Sequence, residues 1–125
     1  MQIQINADHH IENSVARDQW ARSVVESALG HLADHVTRVE VHLSDENAAT
    51  GGAADKRCMM EARLNGRAPI AVTNHAESLD AAVNGGARKL VHAIEHELGR
   101  AGKHAHDARP PAADDAEFVP SVAPY

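Results

Sequence analysis

Polar and apolar residues alternate strictly at the start of the chain, through Gln2, Ile3, Gln4, Ile5 and Asn6. A period of two predicts a strand with one buried face. The period then lengthens: Val15, Ala21, Val24, Val25, Ala28, Leu29 and Leu32 recur at helical spacing. That predicts a helix over about residues 13–33, capped by Asn13 or Ser14. Alternation returns over 36–43, with Val39, Val41 and Leu43 on one face and Arg38, Glu40 and His42 on the other. A strand of an antiparallel sheet with one wet side fits this pattern.

The segment 44–55 contains Asp45, Asn47, Gly51 and Gly52 and is too polar to bury, so it predicts a hairpin loop. A third strand follows over 57–64, with Cys58, Met60, Ala62 and Leu64 inward and Arg57, Met59, Glu61 and Arg63 outward. Asn65-Gly66 predicts a tight two-residue turn. The fourth strand, 68–73, offers Ile70 and Val72 to the core; Pro69 cannot donate a ladder hydrogen bond, which puts this strand at or near an edge.

Ser78 is placed to cap a last helix over about 79–100. Leu79, Val83, Ala87, Leu90, Val91, Ile94 and Leu98 share its apolar side, while Gly85-Gly86 predicts soft first turns. Two helices on one face of a four-stranded sheet bury all these stripes, so the expected class is α+β in the order β-α-β-β-β-α. Residues 1–103 form the expected domain. Residues 104–125, with four prolines and Asp107, Asp114, Asp115 and Glu117 against Arg109 alone, predict a disordered acidic tail.

The formal charge of −6 argues against coating nucleic acid through bulk charge, and only Trp20, Phe118 and Tyr125 are aromatic, too few for a base-stacking platform. Ten histidines add a reserve of positive charge as pH falls. A single cysteine, Cys58, allows no internal disulfide, and the first residues lack a basic, then apolar, leader pattern. A cytoplasmic location without a membrane span is the expectation.

Candidate chemistry concentrates on the outer side of the last helix. Lys89, His92, His96, Arg100 and Lys103 fall within a band of about 80°, with Arg88 at its margin and Glu95 and Glu97 flanking it. Such a band can meet successive phosphates of a nucleic-acid backbone, although a solvated helix face has a similar composition. His92-Ala93-Ile94-Glu95-His96 also matches the H-x-x-E-H pattern of inverted zinc proteases, but no third ligand or walled cleft is evident. His9-His10, His31 with His35, and His104 with His106 read as surface histidines. Cys58 faces inward as a small hydrophobe. No phosphate-cradling glycine loop follows a strand and opens a helix, so nucleotide hydrolysis has no visible apparatus. With the zinc-protease match incomplete and Cys58 inward as well, the expectation is a binding protein rather than an enzyme, with no cofactor, metal or small-molecule substrate.

The opening Met1-Gln2-Ile3-Gln4-Ile5, the stretch Asp34-His35-Val36-Thr37-Arg38-Val39-Glu40-Val41-His42-Leu43, and Ala81-Ala82-Val83 leading into Arg88-Lys89-Leu90 together resemble one family. It is that of the ribosome-hibernation proteins, which includes hibernation-promoting factor and protein Y and is also called the sigma-factor modulation family. The resemblance spans about residues 1–100. It implies a fold similar to a double-stranded-RNA-binding domain. It also implies binding to ribosomal RNA in the messenger and transfer RNA channel of the small subunit, promoting hibernation under stress. Carried onto this sequence, the contact residues are Arg88, Lys89, His92, His96, Arg100 and Lys103 from the helix and Arg38, Arg57 and Arg63 from the sheet. Family members carry a denser run of lysines and arginines where this chain has His92 and His96. A second reading keeps the fold as a protein-interaction module, with Glu117-Phe118-Val119-Pro120 in the tail as a docking segment for a protein partner.

Overall fold

The computed structural model describes residues 1–46 and 55–106, with side chains as far as residue 99. Its elements run β1 (Gln2–Ala7), α1 (Val15–Leu29), a 3-10 turn (Gly30–Leu32), β2 (Val36–Asp45), β3 (Lys56–Leu64), β4 (Ile70–Ala76) and α2 (Leu79–His106). The sheet order is β1-β2-β3-β4, with β1 parallel to β2 and the other neighbours antiparallel. The sheet is therefore mixed. The β1-to-β2 connection through α1 is the crossover that parallel neighbours require.

Both helices cover the face that alternation had marked as apolar. Val39, Val41, Cys58, Met60 and Ala62 are fully buried beneath Val25 and Leu29 of α1 and Val83, Leu90 and Ile94 of α2. Burial of this apolar area is the main stabilising term, worth about 25 cal/mol per Å². No charged or polar residue is buried among the described ones. Ser14 caps α1, its Oγ accepting from Arg17 N at 3.1 Å, and Ser78 caps α2, its Oγ accepting from Ala81 N at 3.1 Å.

Several expectations needed correction. Val15 sits at the first turn of α1 and is 74% exposed, so it does not belong to the apolar stripe. The α-helix ends at Leu29, and Leu32 reaches the core from the tighter 3-10 turn instead. The β3–β4 connection is not a two-residue hairpin. Mirror-image turns need left-handed backbone at both central residues or the first; here Gly66 alone adopts it, at φ 70°, and Asn65 does not. Asn65 is held by His35 O and Asp34 O, each at 3.0 Å, and β4 begins only at Ile70. The last helix continues to His106, which draws residues 104–106 of the expected tail into α2; the rest of the tail, 107–125, lies outside the described residues. Of the polar loop over 44–55 only the ends are described, where Glu46 N donates to Asp55 O at 2.9 Å.

Gly85-Gly86 proves to be a contact point rather than a soft spot. A Cβ on Gly85 would lie 2.3 Å from Asn74 Nδ2, and one on Gly86 would lie 3.3 Å from Cys58 Sγ. The missing side chains let α2 settle against β3 and β4. Asn74 fixes this approach by donating from Nδ2 to Ala82 O at 3.1 Å and Ala81 O at 3.4 Å. Gly85→Ala is expected to destabilise by about 1 kcal/mol, an overpacking cost of about 2 offset by about 1 of helix propensity. In an Asn74→Ala background the same substitution should stabilise. A double-mutant cycle by urea unfolding measures this, and equal effects in both backgrounds would refute the contact.

Candidate nucleic-acid interface

The cationic residues of α2 divide by their angle around the helix. Ala82, Val83, Ala87, Leu90, Ala93 and Ile94 are buried, while Arg88 and His92 are exposed on the opposite side. Lys89 and His96 are half-buried at its flank. Lys89 leans over the edge of the sheet, where Nζ donates to Thr73 O of β4 at 2.9 Å. Partial burial holds its ammonium below the usual lysine range. Arg88, Lys89 and His92 line one groove with Gly85 and Asn74, so three expected contact residues do share a surface. The side chains of Arg100 and Lys103 lie outside the described ones.

The two carboxylates flanking this surface are engaged elsewhere. Glu95 meets His31 Nε2 at 2.9 Å, and Glu97 meets Arg67 Nη1 at 3.5 Å. These half-exposed pairs contribute little to stability. They give each carboxylate a partner, His31 in the 3-10 turn for Glu95 and Arg67 in the β3–β4 connection for Glu97. The guanidinium of Arg88 makes no hydrogen bond or ion pair among the described residues.

The arginines of the sheet stand on a different surface. Arg38, Arg57 and Arg63 project from the face opposite the helices, so they look away from the exposed side of α2. Arg38 and Arg63 are cross-strand neighbours at one end, and Arg57 is opposite Ser44 and His75 at the other. Between them lies the pair Glu40 and Glu61. Glu40 binds Arg38 Nε at 3.0 Å and His42 Nε2 at 3.4 Å, while Arg38 also donates to Gln4. This face is of mixed charge. The seven named residues whose side chains are described therefore divide between two separate surfaces, with Arg88, Lys89, His92 and His96 on the helix and the three arginines on a sheet face of mixed charge.

Two features of this region were not legible in the sequence. Asn74 and Gly85 shape the groove, yet neither carries a pattern that marks it. The partners of Glu95 and Glu97 come from distant segments, which helical spacing cannot show.

Metal chemistry gains no support from the arrangement. Glu95 of the H-x-x-E-H stretch is paired with His31, and among the described residues no three His, Cys, Asp or Glu side chains gather to hold a metal ion. His9 and His10 pack ring to ring, with centroids 4.0 Å apart. Among the described residues, no helix is long and apolar enough to cross a membrane. Burial pushes the Cys58 thiol up to about 12, against a smaller opposing effect of Arg57, which leaves almost no thiolate at neutral pH. Native protein is therefore expected to resist Ellman's reagent for minutes and to titrate one thiol once denatured. Rapid reaction of the native protein would contradict this burial.

Two solved structures share the architecture. The N-terminal domain of Thermus thermophilus protein Y aligns with a TM-score of 0.58 and 21% identity, covering 77% of this chain and 98% of that one. The fold is that of the protein Y N-terminal domain. A ribosomal subunit interface protein from Coxiella burnetii aligns with a TM-score of 0.62 and 16% identity, covering 79% of this chain and 99% of that one. The first alignment thus spans nearly the whole of the protein Y N-terminal domain. Neither a family model nor a curated protein matches the sequence.

Proposed function

We propose that the protein binds the small ribosomal subunit through the exposed side of α2, belongs to the hibernation-factor family and represses translation by occluding the messenger and transfer RNA channel. The supporting observation is the exposed Arg88 and His92 beside Lys89, with the neighbouring carboxylates turned to other partners. Cationic groups along a helix can meet successive phosphates, which position a protein without reading sequence. One protein of the same fold, from Coxiella burnetii, is named a ribosomal subunit interface protein. Steric occlusion needs no catalytic group, so binding alone is the activity, in the cytoplasm and under conditions where ribosomes idle.

Sedimentation of purified protein with isolated subunits tests this reading. The protein should travel with the small subunit at low salt and return to the top of the gradient as salt rises. Migration with the large subunit, or with neither, would reject it. The mixed charge of the sheet's outer face favours a second reading, a protein-interaction module on the same scaffold. That module would bind a protein partner and leave ribosomes unbound at any salt concentration.

A further inference from the structure

A second groove, of about 460 Å³, runs between the two helices and is open to solvent. Trp20, Val24 and Ala28 of α1 and Ala87 of α2 supply its apolar wall, and Arg88 stands at its rim. Trp20 is the only tryptophan of the chain. The groove therefore offers an apolar seat beside a cation, Arg88, which also borders the neighbouring groove lined by Lys89 and His92.

One segment of the chain has the complementary composition. Residues 114–119 read Asp-Asp-Ala-Glu-Phe-Val: three carboxylates followed by an apolar pair. The remainder of the tail has few large apolar residues to compete for such a seat. Reach is sufficient. From His106 back to Arg88 the helix covers about 27 Å at 1.5 Å per residue. An extended chain from His106 to Phe118 spans about 40 Å.

We propose that residues 114–119 fold back along α2 and seat Phe118 and Val119 in the groove against Trp20, with Asp114, Asp115 and Glu117 facing Arg88 and its cationic neighbours. The tail then occupies the place of an RNA backbone, its carboxylates standing where phosphates would. Tethering makes this feasible for a weak contact. An intramolecular partner on a short linker has an effective concentration in the millimolar range, so even millimolar intrinsic affinity gives appreciable occupancy. Screening by salt should loosen the carboxylate contacts first.

The regulatory consequence rests on the ribosome-binding reading, whereas the docking itself does not. If the docked form outnumbers the open form about tenfold, apparent affinity for the ribosome falls about tenfold. The tail is thus a built-in competitor.

Trp20 fluorescence of the full chain tests the docking directly. Phe118→Ser with Val119→Ser should shift emission to the red and raise acrylamide quenching, and a synthetic peptide of residues 107–125 should reverse both. Emission and quenching that match the parent protein overturn the proposal. A difference that disappears on dilution overturns it too, because the occupant would then be a second copy. Neutralising the carboxylates with Asp114→Asn, Asp115→Asn and Glu117→Gln should tighten small-subunit binding about tenfold if the closed form dominates as supposed. A Trp20 response without ribosome binding by parent or variant leaves the docking intact and rejects the ribosome reading.

Discussion

Replacing Arg88, Arg100 and Lys103 together by glutamate is expected to weaken small-subunit binding on the order of 10² to 10³-fold at about 0.1 M salt. Each phosphate contact releases close to one counterion, worth nearly a factor of ten in affinity at that salt concentration. Removing three should also flatten the salt dependence by about 2 to 3 logarithmic units. The fold should survive, because Arg88 is exposed on the side of α2 away from the core. Lys89 is left out for a structural reason: its ammonium already serves Thr73 O at the edge of β4, so its loss would confuse binding with stability. Filter binding of labelled small subunits gives the affinities, and far-UV circular dichroism monitors the fold. Wild-type affinity in a folded triple variant would move the interface off α2.

The second large effect concerns the side of the same helix that holds it down. Leu90 is fully buried against both the sheet and the core of the helical layer. Leu90→Ala should cost about 2 to 5 kcal/mol, the lost transfer energy plus that of a cavity the neighbours cannot close. For a domain with about 5 to 15 kcal/mol in total, this is a large share. Leu90→Met, which nearly conserves volume, should cost less than about 1.5 kcal/mol. Urea unfolding measures both, and a loss under about 1 kcal/mol for the alanine variant would mean that α2 is not anchored as described.

The fold was largely legible because its signals are local and repeated. Strict alternation at Ile3, Val39, Val41, Met60 and Ala62 marked the inner sheet face, Ser78 marked the start of α2, and of the two cap candidates for α1, Asn13 and Ser14, the structure uses Ser14. What escaped depends on contacts between distant segments. Gly85 looks like a weak helix residue until Asn74 is seen in the space its side chain would fill. Ile11 is buried although it lies in the connection after β1, where no period exists to reveal it. Val15 has the right spacing but sits in a first turn that overhangs the core.

The candidate site was legible in part, for a similar reason. Helical angles alone placed Arg88 and His92 outside, and the structure agrees. They could not show that Lys89 bends to the strand edge, nor that Glu95 and Glu97 have partners of their own. Alternation correctly put Arg38, Arg57 and Arg63 on the outer sheet face. With both helices expected on the inner face, that reading already set these arginines on the opposite surface from α2, and the layered packing agrees.

Directed hydroxyl-radical cleavage from α2 is the most direct measurement of whether this helix faces ribosomal RNA. The probe can be attached to a Glu95→Cys variant, at an exposed position beside Arg88 and His92, because the buried Cys58 should not take the label. Cuts are expected in small-subunit RNA lining the messenger and transfer RNA channel and none in large-subunit RNA. Background-level cleavage of the small subunit, with the labelled protein still bound to it, would mean that α2 does not face ribosomal RNA.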